Sequence, residues 1–226
     1  MIIISGASKG IGNYLFETYQ KLGIPVIGLF NKTGMVSTSN EAKVYHVDIT
    51  DAQAVANWFK ELDVENITLI NCAGINYNAF AHKANLDKWK EVIEVNLIGT
   101  FNIIHTLLPL MREQNFGRII NFGSVVAQIP SPGISAYAAS KAALSGLGKS
   151  LAAENATKGI TVNTINLGYS ELGMISQVPE SYLEDIKKRI PTHALCTPED
   201  IFNTVEYLRN TAYINGTEIN LNGAMI

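Results

Sequence analysis

The residue order implies an α/β chain: one doubly wound parallel sheet with helices on each face. Three observations carry this. Short β-branched runs alternate with longer stretches of helical period along the whole chain. Several of these runs are continuously apolar, as in Met1-Ile2-Ile3-Ile4, which suits strands buried on both sides of a parallel sheet. A glycine cluster, Ser5-Gly6-Ala7-Ser8-Lys9-Gly10-Ile11-Gly12, stands between the first strand and the first helix. Without a repeat, a linker or a break in composition, residues 1–226 are expected to form a single domain.

Ile2–Ser5 reads as the first strand and 11–22 as a helix closed by Gly23. Strands follow at 25–30 and 44–47. Between them, 31–43 hold Gly34 and a Ser/Thr/Asn run, too short and too polar for a full crossover helix, so a loop or a single turn is expected. A helix over 52–62 leads to a strand at 67–71. A long amphipathic helix from 86 to about 114 precedes the strand 118–122. An Ala- and Ser-rich helix, 137–155, precedes the strand 160–165. Helical segments at 180–188 and 198–209 come before the last strand, Glu218–Leu221. Such repeated β–α alternation makes a three-layer α/β/α, Rossmann-type sheet.

The 226 residues carry 17 basic and 20 acidic side chains, a net charge of −3 without blocks of one sign. Nucleic acid and anionic membrane are therefore not expected partners, and no apolar stretch is expected to span a bilayer. The chain runs from Met1 straight into the glycine turn without a basic leader, and Cys72 and Cys196 show no metal-type spacing. A cytoplasmic, reducing location is expected. His46, His82, His105 and His193 are scattered and form no ligand set, so no metal is expected.

Two groups of residues suggest chemistry. Tyr137 and Lys141 lie four apart on one helix face, where an ammonium can lower the pKa of a phenol, and Ser124 stands upstream at a strand end. That makes an acid–base pair, although the spacing alone also fits an exposed helix face. In the glycine turn, Gly6, Gly10 and Gly12 let backbone amides and a helix N-terminus approach a pyrophosphate, with Ser8, Lys9 and Ile11 between them. At the end of the second strand, where an acid would bond a ribose 2′-hydroxyl, stand Asn31 and Lys32. With Lys9 they favour a 2′-phosphate, hence NADP(H), while NAD(H) stays open if both lysines are only solvated surface.

In this order the motifs resemble the short-chain dehydrogenase/reductase family, single-domain branch, from Ile2 to Met225. Asp48-Ile49 is similar to the pair that holds the adenine, and Asn71-Cys72-Ala73-Gly74 to the segment flanking the cofactor. Asn96, at an expected kink in the long helix, with Ser124, Tyr137 and Lys141 resembles the catalytic tetrad. Gly117–Asn121, Gly159–Asn163 and Asn220–Gly223 look most like the β-ketoacyl-(acyl-carrier-protein) reductases. The resemblance implies a carbonyl reduction in which Tyr137 protonates the carbonyl oxygen, Ser124 bonds it and Lys141 holds the nicotinamide ribose and lowers the Tyr137 pKa. Asn96 would anchor a water behind Lys141.

The expected substrate is a 3-oxoacyl thioester, small or bound to a carrier protein, with Arg112 and Lys158 as candidate docking cations. A sugar or secondary-metabolite alcohol, or a catalytically silent cofactor binder, are the other readings. A homodimer or homotetramer through the two long helices is implied. The chain departs from the family pattern at Leu167-Gly168-Tyr169-Ser170-Glu171-Leu172, where leucines replace the usual proline and threonine and Ser170 is the hydroxyl at hand. Gly168 keeps its place beside the cofactor. Met174, Ile175, Val178 and Tyr182 would line a substrate lid or simply pack.

Overall fold

The computed structural model describes residues 1–173, 175 and 180–226, the side chains of 180–182 excepted. Met174, Val178 and the side chain of Tyr182 therefore lie outside the described residues, and Ile175 is half-buried. Seven strands form one sheet: β1 (Ile2–Ser5), β2 (Val26–Phe30), β3 (Ala42–His46), β4 (Thr68–Asn71), β5 (Gly117–Phe122), β6 (Ile160–Leu167) and β7 (Glu218–Leu221). Their order is β3-β2-β1-β4-β5-β6-β7, and all neighbours are parallel. This is the doubly wound topology, with its switch point between β1 and β4. Among the described residues no helix separates β2 from β3.

Side-chain alternation sorts each strand between two cores. Ile3, Ile27, Leu69, Ile119 and Val162 face α2 (Ala52–Lys60), α4 (Thr100–Gln114) and α5 (Ser135–Asn155). Ile2, Ile4, Val26, Ile70, Ile120 and Ile165 face α1 (Gly10–Lys21) and α7 (Pro198–Asn210). Every residue of β1, β4, β5 and β6 is buried, whereas β3 and β7, at the sheet edges, are partly exposed. Side-chain caps open α2 and α7. Asp51 caps α2 by accepting from Gln53 and Ala54, and a reciprocal Thr197–Asp200 box opens α7 with Pro198 in its first turn. α6 covers Glu180–Arg189.

The long helix is interrupted. α3 (Leu86–Ile93) passes through a π-turn, Glu94–Gly99, before α4 begins. Gly99 is required there, because a Cβ would come within 2.7 Å of Ile49 Cγ1. The stretch Leu86–Gln114 is, by length and composition, apolar enough to cross a bilayer, contrary to the expectation from sequence. In the fold it lies along the sheet with Ile103, Ile104, Leu107 and Met111 in the core.

Candidate active site

The C-terminal ends of β1, β4, β5 and β6 bring the glycine turn, Asn71–Gly74, Ser124 and Leu167–Leu172 to one edge of the sheet. α5 adds Tyr137 and Lys141, and the π-turn adds Asn96. Asn96 is fully buried, and its side chain is wholly committed. Its Oδ1 accepts from the Ile75 amide at 2.8 Å, and its Nδ2 donates to the Ile75 carbonyl at 2.9 Å and to Ser140 Oγ at 3.0 Å. Ser140 in turn donates to the Tyr137 carbonyl at 2.8 Å. One amide thus ties the segment after β4 to the first turns of α5. Both Nδ2 hydrogens are thus taken up by protein groups.

Lys141 is buried, and its ammonium donates to the Phe122 carbonyl at 2.6 Å. Burial pushes its pKa down to about 8, with nearby Cys72 acting in the opposite sense. Its Nζ lies 5.6 Å from the centre of the Tyr137 ring. Burial raises the Tyr137 pKa, while a hydrogen bond with Ser124 pulls it down. This differs from the expected lowering by Lys141, whose charge is directed at the end of β5. Ser124 Oγ also accepts from the Val126 amide at 3.4 Å. Desolvation raises the Cys72 thiol, so it is no nucleophile at neutral pH.

The glycine turn packs on the segment after β4. At Gly6, φ is +69° and a Cβ would lie 2.6 Å from Ala73 Cα; at Gly12 it would overlap the Gly6 carbonyl. Asn71 does not turn its side chain to the cleft: its Nδ2 donates to Asn121 Oδ1 at 2.9 Å and its Oδ1 accepts from Ser5 Oγ at 3.3 Å. The Ile49 side chain likewise belongs to the core. Ser8 and Ile11 are half-buried and Lys9 is exposed ahead of α1.

Beyond β2 and β3 a cavity of about 280 Å³ is lined by Asn31, Lys32, Asp48, Thr50, Lys90, Glu91, Glu94 and Val95. Lys9 lies outside that set. Partial burial would raise the Asp48 pKa, but bonds from the Thr50 amide and hydroxyl and from Asn31, with the Lys32 charge, hold it below the usual range. Lys90, Glu91 and Glu94 were missed from sequence. Their signal was the i, i+3 spacing of 91 and 94 on the helix leading to Asn96.

The family model of the short chain dehydrogenases matches residues 1–182. The chain belongs to the short-chain dehydrogenase family. An acetoacetyl-CoA reductase of Rhizobium meliloti (strain 1021) is 36% identical, covering 98% of this chain and 96% of the relative. The 3-oxoacyl-(acyl-carrier-protein) reductase of Escherichia coli (strain K12) is 32% identical, with coverage of 99% and 96%. A solved 3-oxoacyl-(acyl-carrier protein) reductase from Brucella melitensis superposes with a TM-score of 0.88 at 27% identity, covering 99% of this chain and 90% of the other. This short-chain dehydrogenase is an NAD(P)(H)-dependent oxidoreductase acting between carbonyl and hydroxyl groups.

The residues fit a dinucleotide. Gly6 and Gly12 let the turn close against Ala73 and against its own backbone just ahead of α1, so that the helix N-terminus stands at the sheet edge, where its amides can meet a pyrophosphate. A Cβ on exposed Gly74 would stand 3.7 Å from Lys141 Nζ, so the ammonium borders the same space. The departures also find an account. Leu167, unlike proline, keeps an amide hydrogen, and β6 runs on to pair it with Leu221, two residues beyond the expected strand end. Gly168 continues the ladder, its amide donating to the Leu221 carbonyl at 2.9 Å. Ser170 does not replace the missing threonine hydroxyl: it is buried and donates to the Leu172 carbonyl at 3.0 Å. Leu172 packs against the α1–α7 core.

Proposed function

We propose that this dehydrogenase is an NADPH-dependent ketoreductase acting on a 3-oxoacyl thioester. The observation that carries the reading is the joining of Asn96, Ser124, Tyr137 and Lys141 at one sheet edge beside the glycine turn. The dinucleotide supplies hydride to the carbonyl carbon. Tyr137 donates its proton to the oxygen where charge develops, and Ser124, already bonded to Tyr137, presents a second donor to that oxygen. Lys141, whose Nζ lies 5.6 Å from the centre of the Tyr137 ring, would hold the nicotinamide ribose and keep its charge near the phenol. Asn96 acts as a positioning residue, holding α5 against the segment after β4.

The thioester follows from the two relatives, whose names share a 3-oxoacyl thioester substrate. Arg112 and Lys158 do not serve a carrier protein at the site mouth. They precede β5 and β6, so they lie at the N-terminal edge of the sheet, opposite the catalytic edge, and Arg112 donates to Asn155 Oδ1. Lys32 in the adenosine cavity, with no acid at the end of β2, supports NADP(H) over NAD(H). The chain works as one domain, its first half holding the dinucleotide and its second half the reacting carbonyl. Two or four copies would pair through the long helices, where Ile98 and Phe101 are exposed, and two free thiols suit the cytoplasm.

The test is NADPH oxidation, followed at its absorbance band, with acetoacetyl thioesters and keto-sugars offered separately. Turnover of the thioesters is expected. Tight NADPH binding with turnover only of keto-sugars would overturn the substrate assignment.

A further inference from the structure

We infer that Glu91 sets how strongly this enzyme favours a 2′-phosphorylated dinucleotide, by holding Lys32 in an ion pair that the phosphate must displace. The inference rests on the NADP(H) reading above. Lys32 Nζ lies 3.5 Å from Glu91 Oε1, across the mouth of the adenosine cavity. Both side chains are solvent-accessible, at 83% and 51%, so the pair is weak and exchangeable. Its partners come from different elements, the loop after β2 and the helix α3.

The charges on the cavity wall decide the sense of the effect. Two ammoniums, Lys32 and Lys90, face three carboxylates, Asp48, Glu91 and Glu94. Asp48 is occupied by the Thr50 amide and hydroxyl and by Asn31. Among the described residues Glu91 is the one carboxylate in an ion pair with Lys32. A 2′-phosphate entering this cavity gains Lys32 only by breaking that pair, and it meets the negative charge of Glu91 and Glu94 as it does so. A 2′-hydroxyl carries no charge and meets neither obstacle. Glu91 therefore acts selectively against the phosphorylated cofactor, and its removal releases the cation that the phosphate needs.

The experiment is calorimetric and needs no turnover. Binding of NADPH, NADH, 2′-phosphoadenosine 5′-phosphate and 5′-AMP is measured for the unaltered chain, Glu91→Gln, Lys32→Ala and the double variant. Glu91→Gln is expected to tighten NADPH and the 2′-phosphorylated fragment about two- to five-fold, the size of an exposed ion pair, with NADH and 5′-AMP unchanged. Adding Lys32→Ala should abolish the gain. No tightening in Glu91→Gln, with Lys32→Ala still weakening NADPH, would overturn this inference and leave the NADP(H) reading standing. A Lys32→Ala variant with an unaltered NADPH/NADH preference would remove the reading itself. Weaker NADH binding by Glu91→Gln would show that Glu91 bonds the ribose directly, and would also overturn the inference.

Discussion

Where β5 meets α5, Asn96 and Lys141 are buried and already paired; beyond β2 and β3, Lys32 and Glu91 stand in solvent and exchange partners at little cost. Asn96 and Lys141 are within 5% of full burial and bond backbone groups on other elements. At the adenosine end, Lys32 and Glu91 form an exposed pair on a loop and a helix surface. A polar group in the first setting costs its full desolvation when a partner is lost, whereas one in the second is rescued by water. On the proposed reading, the chemistry sits at the rigid end, and cofactor preference can shift at the open end without disturbing it.

The sharpest break of this contrast is Tyr137→Phe. Losing the acid–base hydroxyl at the rigid end should lower kcat by roughly 100- to 10,000-fold. NADPH affinity, governed mostly by the rest of the cleft, should change little, and calorimetry beside steady-state kinetics checks both. Carbonyl reduction at near-full rate in this variant would remove Tyr137 from the mechanism.

The same contrast explains what could be read from sequence. The inner strands were legible because continuous apolar runs such as those of β1 and β2 have few other uses in a chain of this pattern. The shared helix of Tyr137 and Lys141 and the place of the glycine turn between β1 and α1 were legible because short spacings along the chain set them. The break in the long helix at Asn96 was expected from the resemblance, but its form as a π-turn was not, since a local change of helical pitch over Glu94–Gly99 leaves the apolar period nearly intact. Long-range pairings such as Lys32–Glu91 and Asn71–Asn121 were also hidden, because sheet order and side-chain direction decide them. Arg112 and Lys158 were misplaced although a signal existed: residues just before a strand lie at the edge opposite the site.

Asn96→Ala tests the rigid end as structure. It strips the Ile75 amide, the Ile75 carbonyl and Ser140 of their partner. With each stranded buried group costing ~1–3 kcal/mol and water recovering part, a loss of about 3 kcal/mol is expected in urea unfolding. Deleting the exposed Glu91 carboxylate should stay within about 0.5 kcal/mol in the same assay. Equal small losses at both positions would erase the distinction between the two ends.

A smaller effect than that of Asn96→Ala concerns the protonation of Lys141. Its pKa in the folded chain is lowered to about 8 from 10.5, and burial is the cause, so the fold disfavours the ammonium. The sign follows by linkage: below about pH 8 both states hold the proton and the full penalty is present. As pH climbs from 8 towards 10.5 the folded state sheds the proton first and the penalty is relieved. Lys141→Met carries no such group, so other titrations cancel in the difference between the two proteins. The stability of the unaltered chain relative to Lys141→Met should therefore rise by about 2 kcal/mol between pH ~7 and ~9.5, measured by urea unfolding at each pH. A flat difference would mean that the Phe122 carbonyl and its surroundings solvate the ammonium as well as water does. The rigid end would then owe its order to packing, without a buried charge held at a cost.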